Sequence, residues 1–409
     1  MPLFVKRLLL LAAAILISLA SLEVGIRCAV DRAALADRLL HTAGDTDGAP
    51  RAQALEDQRI ILHPYFGYVV DPRSPGINRF GFFHDEPIMT RAPDRFIIAF
   101  FGGSVADQVY SLGHDALVEA LRAAPAFAGK RIEVVSTALG GYKQPQQLLV
   151  LADLLAQGAQ FDVVVALDGF NEVDGAADNV QDGVNPYYPL NWQLHARSAL
   201  DSQSMALMGQ VEGTRAARAT LRDTFARSGL TNSALALWVW DVLDRRQTAA
   251  LRAQMLALEA AQAQAEKSPQ VSGPPLTFAD EDAMYADFVE VWARASFAMR
   301  NLCRGQGIRF LQFLQPNQYF AGSKTLTDEE RRIAWSADVA DAGRVAHGYP
   351  LLVVRGRELA AQGVDFHDLS MLFRDERDTL YSDTCCHYNQ RGADLIARAI
   401  AAAIVERTQ

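Results

Sequence analysis

Two kinds of hydrophobic pattern alternate along the chain. Short apolar runs, FIIAFF (96–101), RIEVVS (131–136), DVVVAL (162–167), IRFLQFL (308–314) and VDFHDL (364–369), stand between longer stretches whose apolar residues recur at helical intervals. The first three are nearly continuous, which predicts strands covered on both faces. HDALVEALRAA (114–124), QPQQLLVLADLLAQG (144–158) and DFVEVWARASFAMRNLCRGQG (287–307) predict helices between strands, and RGADLIARAIAAAIVE (391–406) predicts a closing one. Strand and helix taking turns predict an α/β fold, a parallel sheet with helices on both faces and right-handed crossovers.

One interval is too long for a crossover. Residues 168–307 separate the third and fourth strands, and the stretch 191–267 is rich in Ala, Leu, Gln and Arg, with Trp238, Trp240 and Leu243 at helical spacings. It predicts a helical insertion, bounded at about 175–285, followed by the loop PQVSGPPLTF (269–278). Two readings stay open: a cap that shapes access to a site, and a packing or membrane-facing embellishment. Upstream of the first strand, HPYFGYVVDPRSPGINRFGFF (63–83) is dense in aromatics, Pro and Gly, as suits a segment laid across a domain.

The N-terminus is a separate object. Lys6 and Arg7 precede LLLLAAAILISLASL (8–22), and Glu23 and Arg27 follow. A positive flank before an apolar run holds the basic end in the cytoplasm and sends the remainder out. About 20 residues cross a bilayer core, a length this run reaches when extended through Ile26. The reading taken is an uncleaved anchor over residues 1–27, then a juxtamembrane helix and polar linker over 28–60, then the main domain over 61–409. Cleavage after Ala20 is the rival. Arg27 before Cys28 argues against a lipid-attachment site.

Composition narrows the classes. Half of the 409 residues are hydrophobic, enough to fill a core and to exclude a disordered chain. Lys and Arg number 39 against 48 acidic residues, for a net charge of −9, and no dense basic block follows the N-terminus, which argues against a nucleic-acid partner. Four cysteines do not make a disulfide scaffold. Cys303 paired with Cys385 or Cys386 is one reading, and free thiols are the other. No CxxC or HxxxH spacing suggests a metal, and no phosphate-cradling glycine loop with its lysine suggests a nucleotide. No cofactor is expected.

Chemistry gathers at the strand ends, where ligands bind in an open α/β sheet. Ser104 follows Gly102 and Gly103 just past the first strand. STALGGYKQPQQ, after the second, carries Gly141, and DGFNEV, after the third, carries Asn171. Asp383 and His387 lie in YSDTCCHYNQRG before the last helix. Ester cleavage needs this set: a hydroxyl nucleophile, a base to take its proton, a carboxylate to orient the base, and N–H donors for the oxyanion. Gln315, Asn317 and Gln318, after the fourth strand, can line a pocket by position or serve as loop hydrogen-bonders.

The four blocks, GGS (102–104), the loop ending at Gly141, GFN (169–171) and the segment with His387, resemble in content and order those of SGNH hydrolases, the GDSL esterase and lipase superfamily. INRFGFF, LQPNQYFAGSKTLTDEE and DTCCHYNQRG are similar to stretches in its membrane-anchored bacterial members. The resemblance implies a three-layer α/β/α sandwich with a flavodoxin-like, five-stranded parallel sheet. It also implies Ser104 as nucleophile and first oxyanion donor, Gly141 and Asn171 as the other donors, and His387 as base. Two departures stand out. Gly103 replaces a frequent Asp, and the usual Asp-x-x-His has Thr384 in its first position, with Asp383 four residues before His387. Asp383 is assigned the orienting role; Asp378 or a backbone carbonyl are the alternatives. The function expected is an exported serine esterase or acyltransferase, tethered to the bacterial inner membrane and acting in the periplasm on O-acyl groups of a small molecule or polysaccharide. A non-catalytic glycan-binding or assembly protein is the alternative. Oligomeric state is left open.

Overall fold

Runs such as FIIAFF and VVVAL carry no polar face to keep wet, so they reach their lowest free energy as strands inside a sheet. The computed structural model describes residues 3–41, 60–83, 85–192, 202–264, 269–337 and 339–407. Its strands are Ile60–His63 (β1), Gly67–Val70 (β2), Arg95–Gly102 (β3), Arg131–Ser136 (β4), Val163–Asp168 (β5), Arg309–Leu314 (β6) and Asp365–Asp368 (β7). β1 and β2 form an antiparallel pair, and the other five form one parallel sheet in the order β4-β3-β5-β6-β7. The chain therefore reverses its direction of travel at β3 and β5, and the crevice of such a switch point opens beyond their carboxyl ends. Register aligns those ends: Phe100 pairs with Ser136 and Gly102 with Leu167.

The principal helices are Leu3–Ala29 (α1), Arg32–His41 (α2), Ser104–Arg122 (α3), Gln146–Ala156 (α4), Phe170–Gln181 (α5), Ser202–Arg227 (α6), Ala234–Gln264 (α7), Glu281–Gly305 (α8), Asp328–Ile333 (α9), Ala340–Ala361 (α10) and Gln390–Glu406 (α11). α3 begins at Ser104, ten residues before the stretch that announces a helix in the sequence. α8 begins at Glu281 because the Asp280 carboxylate accepts the Ala283 N–H at 2.8 Å, an N-cap. α3 and α11 approach closely at Gly113, where a Cβ would stand 2.8 Å from the Ala397 Cβ and 2.9 Å from the Ala393 carbonyl oxygen. The aromatic segment docks through Phe66 and Phe82, both buried, and the Gln146 side chain donates to the Phe66 carbonyl at 2.6 Å.

The chain divides into two compact units, one of residues 50–196 and 267–409, the other of 1–49 and 197–266. The first holds the sheet. Of the stretch read as an insertion at about 175–285, residues 197–266 fall in the second unit. The second unit joins α1 and α2 to α6 and α7. Leu35, Leu39, Leu237 and Trp240 form its buried cluster. Arg38 stacks on Trp240 and pairs with Asp241 at 2.5 Å, while Arg218 pairs with Asp244 at 2.8 Å. Glu23 closes the start of α7, accepting from Ser233 Oγ and from the N–H groups of Ala234 and Leu235 at 2.7–2.9 Å. Among the described residues, no helix is long and apolar enough to cross a membrane. Most side chains of the apolar run at 8–22, the expected anchor, lie outside the described set. Cys28, Cys303, Cys385 and Cys386 are free thiols, so the Cys303 bridge is not formed.

Candidate active site

β3 ends in a turn that only glycine permits. Gly102 has φ +150°, and a Cβ there would lie 2.5 Å from the Leu167 carbonyl oxygen; a Cβ on Gly103 would lie 2.1 Å from Asn171 Nδ2. The Asn171 carboxamide occupies the space a side chain at position 103 would need. Ser104 then opens α3, where the helix dipole and unpaired N–H groups favour negative charge.

The loop after β4 is bonded to the end of β3, with Thr137 N–H on the Phe100 carbonyl at 2.9 Å and Leu139 N–H on the Gly102 carbonyl at 3.2 Å. Gly141 sits at φ +77°, within reach of the Tyr68 hydroxyl, which donates to the Gly140 carbonyl at 2.7 Å. Asn171, the second residue of α5, donates its Nδ2 to the Tyr142 carbonyl at 2.9 Å. The Glu172 carboxylate accepts the N–H groups of Gly169 (2.8 Å) and Gln144 (3.2 Å), locking the loops after β4 and β5 together. Burial and the neighbouring Asp168 charge push the Glu172 carboxyl up to about 8, and burial brings Lys143, on the same loop, down to about 7.

The last block is a hairpin. Tyr381 bridges to Tyr388, Ser382 N–H donates to the His387 carbonyl at 3.0 Å, and Asn389 N–H to the Leu380 carbonyl at 2.7 Å. His387 Nε2 lies 2.8 Å from Ser104 Oγ, and its Nδ1 lies 2.6 Å from Asp383 Oδ2. The partners fix the tautomer: Nδ1–H donates to the carboxylate, and Nε2 accepts from the serine hydroxyl. Asp383 Oδ1 accepts the N–H groups of Cys385, Cys386 and His387 at 3.0–3.3 Å. Burial pushes the Asp383 carboxyl up, but the His387 imidazole and these N–H groups outweigh it and hold it below the usual carboxylate value. Asp378 pairs with Arg391 at 2.9 Å instead. Gln108, one turn after Ser104, accepts the Tyr388 N–H at 2.8 Å and ties the hairpin to α3.

Behind the hairpin lies an ion pair whose two side chains are 0% exposed, Lys324 Nζ to Glu330 Oε2 at 3.0 Å. Glu330 also accepts the Leu380, Tyr381 and Thr327 N–H groups. Asn317 and Gln318 are buried and bonded to this hairpin, to the carbonyls of Cys385 (3.5 Å) and Asp383 (3.0 Å), so they support the loop from behind rather than line a pocket. Gln315 is buried beside Gly169, with its Nε2 unpaired.

Ser104, Asp383 and His387 thus stand in one hydrogen-bonded chain, with Gly141 and Asn171 on the loops bonded to the same strand ends. Sequence reasoning missed Gln108, Tyr68, Lys324 and Glu330. Gln108 had a signal, its i+4 spacing from Ser104 on a helix, and Glu330 had one as the last residue of the Thr327-x-x-Glu330 capping box; the bonds of Tyr68 to Gly140 and of Glu330 to Leu380 span long sequence separations. Ligand atoms of Cys385, Cys386 and His387 lie within 4.8 Å of one another. Both ring nitrogens of His387 already have partners, so a metal held there would displace Ser104 or Asp383.

No family model and no curated protein matches the chain. Among solved structures it is similar to a GDSL-like lipase of Bacteroides thetaiotaomicron, with TM-score 0.34 and 9% identity over 76% of this chain and 89% of that one. It is also similar to a variant of an acetyl-xylooligosaccharide esterase of Geobacillus, with TM-score 0.33 and 14% identity over 76% and 94%.

Proposed function

We propose that the chain is a serine esterase that cleaves, or transfers, O-acyl groups through an acyl-enzyme on Ser104. The observation that carries this reading is the pair of distances at His387, 2.8 Å to Ser104 Oγ and 2.6 Å to Asp383 Oδ2. His387 takes the serine proton as Ser104 attacks the ester carbonyl, and Asp383 stabilises the imidazolium that results. Negative charge then develops on the former carbonyl oxygen. The N–H groups of Ser104 and Gly141 and the second Nδ2 proton of Asn171 are the donors offered to it, each worth about 3 kcal/mol in such a role. His387 returns its proton to the departing alcohol, and a water or a second alcohol, activated the same way, releases the acyl group.

The setting proposed is periplasmic, with residues 1–27 as the tether and acylated envelope or exported polysaccharide as the substrate class. Lys6 and Arg7 before the apolar run support that orientation.

The test is intact mass of the full chain in detergent after treatment with a fluorophosphonate. One adduct, absent from Ser104→Ala and slowed in His387→Ala, is expected. A folded chain that takes up no adduct would rule the reading out. Protease accessibility in spheroplasts checks the setting, the main domain being cleaved without lysis if it is exported.

A further inference from the structure

Two thiols stand side by side in the hairpin that carries the base. Cys385 and Cys386 are adjacent in sequence, their Sγ atoms are 3.0 Å apart, and neither is in a disulfide. Cys385 is half-buried and Cys386 is buried. Successive side chains of an extended segment point to opposite faces, so the sulfurs of adjacent cysteines ordinarily diverge. Here the backbone is wound around Asp383, whose Oδ1 accepts the N–H groups of both cysteines and of His387, while its Oδ2 holds the imidazole. The thiol pair and the base therefore hang on the two oxygens of one carboxylate.

We propose that Cys385 and Cys386 form a dithiol–disulfide modification site that takes a disulfide as its oxidant, and whose closure slows Ser104 through Asp383 and His387. The more exposed Cys385 gives up its proton, and its thiolate attacks one sulfur of the oxidant. The other sulfur leaves as a thiolate and is protonated. Cys386, deprotonated in turn, displaces the remaining sulfur from Cys385. One S–S bond breaks and another forms at each step; the two cysteines are oxidised and the oxidant is reduced to two thiols.

Closure draws the sulfurs from 3.0 Å to about 2.05 Å. The ring so formed encloses the peptide between the two cysteines, and that peptide supplies the Cys386 N–H to Asp383. Turning it removes one donor from the carboxylate that orients the base. A charge-assisted hydrogen bond of this kind corresponds to a change of about tenfold. Formation of the disulfide stands apart from the esterase reading; its effect on Ser104 rests on that reading.

The experiment incubates the full chain in detergent with oxidised glutathione or with a reductant, quenches with N-ethylmaleimide, and weighs the peptide containing Cys385 and Cys386. The same samples are timed for fluorophosphonate labelling. Expected after oxidation are a peptide two hydrogens lighter with no maleimide, labelling about tenfold slower and restored by reductant, and equal labelling of Cys385→Ser in both buffers. Two maleimides on the peptide, glutathione retained on Cys385, or a crosslink to Cys303 would overturn the site. A lighter peptide with unchanged labelling would overturn the coupling to His387. If no form of the chain labels at all, the esterase reading fails, and the mass alone decides the dithiol site.

Discussion

The sheet unit and the helical unit are held together by different means. In the sheet unit, the loops around the site are tied by carboxyl groups that collect backbone N–H groups: half-buried Asp383 beside His387, and buried Glu330 under the hairpin and Glu172 between the loops after β4 and β5. In the helical unit, a cluster of four buried side chains and two pairs of half-exposed arginines on buried aspartates stand out. The four side chains contribute about 1.5–3 kcal/mol each. Carboxylates that gather N–H groups set atomic positions, whereas apolar clusters set only proximity. The first kind of support is what proton transfer over 2.6–2.8 Å needs.

Substitutions can break that contrast. The largest effect is expected from Ser104→Ala, which removes the fluorophosphonate adduct altogether. Asp383→Asn should slow labelling by about 10²–10⁴-fold, whereas Asp378→Asn should change it less than about twofold; equal effects of the two would return the orienting role to an open question. Glu330→Gln leaves Lys324 buried without its counter-charge and should cost about 3–5 kcal/mol in urea unfolding, with labelling slowed in the fraction that stays folded. Trp240→Ala should cost about 3 kcal/mol in the helical unit while the labelling rate of Ser104 stays within about twofold. Parallel loss of labelling would mean the two units act as one.

The smallest effect concerns pH. The Glu172 carboxyl, raised to about 8, binds its proton more tightly in the folded chain than in the unfolded one. Its contribution is therefore complete below the unfolded value near 4.5 and is lost as pH rises through 8. Lys143, lowered to about 7, opposes that trend only above 7. Denaturation of the parent should show stability falling between about pH 5 and 7, and Glu172→Gln should flatten that slope by about 1 kcal/mol or more. An unchanged slope would place the proton on another carboxyl.

Three strands of the sheet, β3, β4 and β5, were legible because burial on both faces leaves one reading of an apolar run; β7, half-exposed along its length, was legible only from its place after a helix. Two helix starts were less so. VADQVYSLGH, the first turns of α3, mixes polar residues with a glycine, and its apolar stripe is visible only once the helix is known to begin at Ser104. Asp280, the cap of α8, lies among other acids that gave no reason to choose it. In the site, Ser104, Asn171 and His387 could be picked out by local motif, and the four-residue spacing of Asp383 was settled by a hairpin in which the carboxylate wraps back on the chain. Glu330 carried a local signature only for its capping of Thr327, the Thr-x-x-Glu box; its bonds to the Leu380 and Tyr381 N–H groups, some fifty residues away, had none.

The close contact at Gly113 has a consequence for the proposed esterase. α3 begins with Ser104, and α11 begins three residues after His387, so the two side chains stand near the starts of two rods that meet at Gly113 with no room for a further side chain there. A single methyl group at position 113 would act as a shim, prising the rods apart and widening the gap between hydroxyl and imidazole from a distance. The spacing of two helices is in this sense a dial on the reaction, set by the absence of a side chain and adjustable without touching any group that meets the substrate.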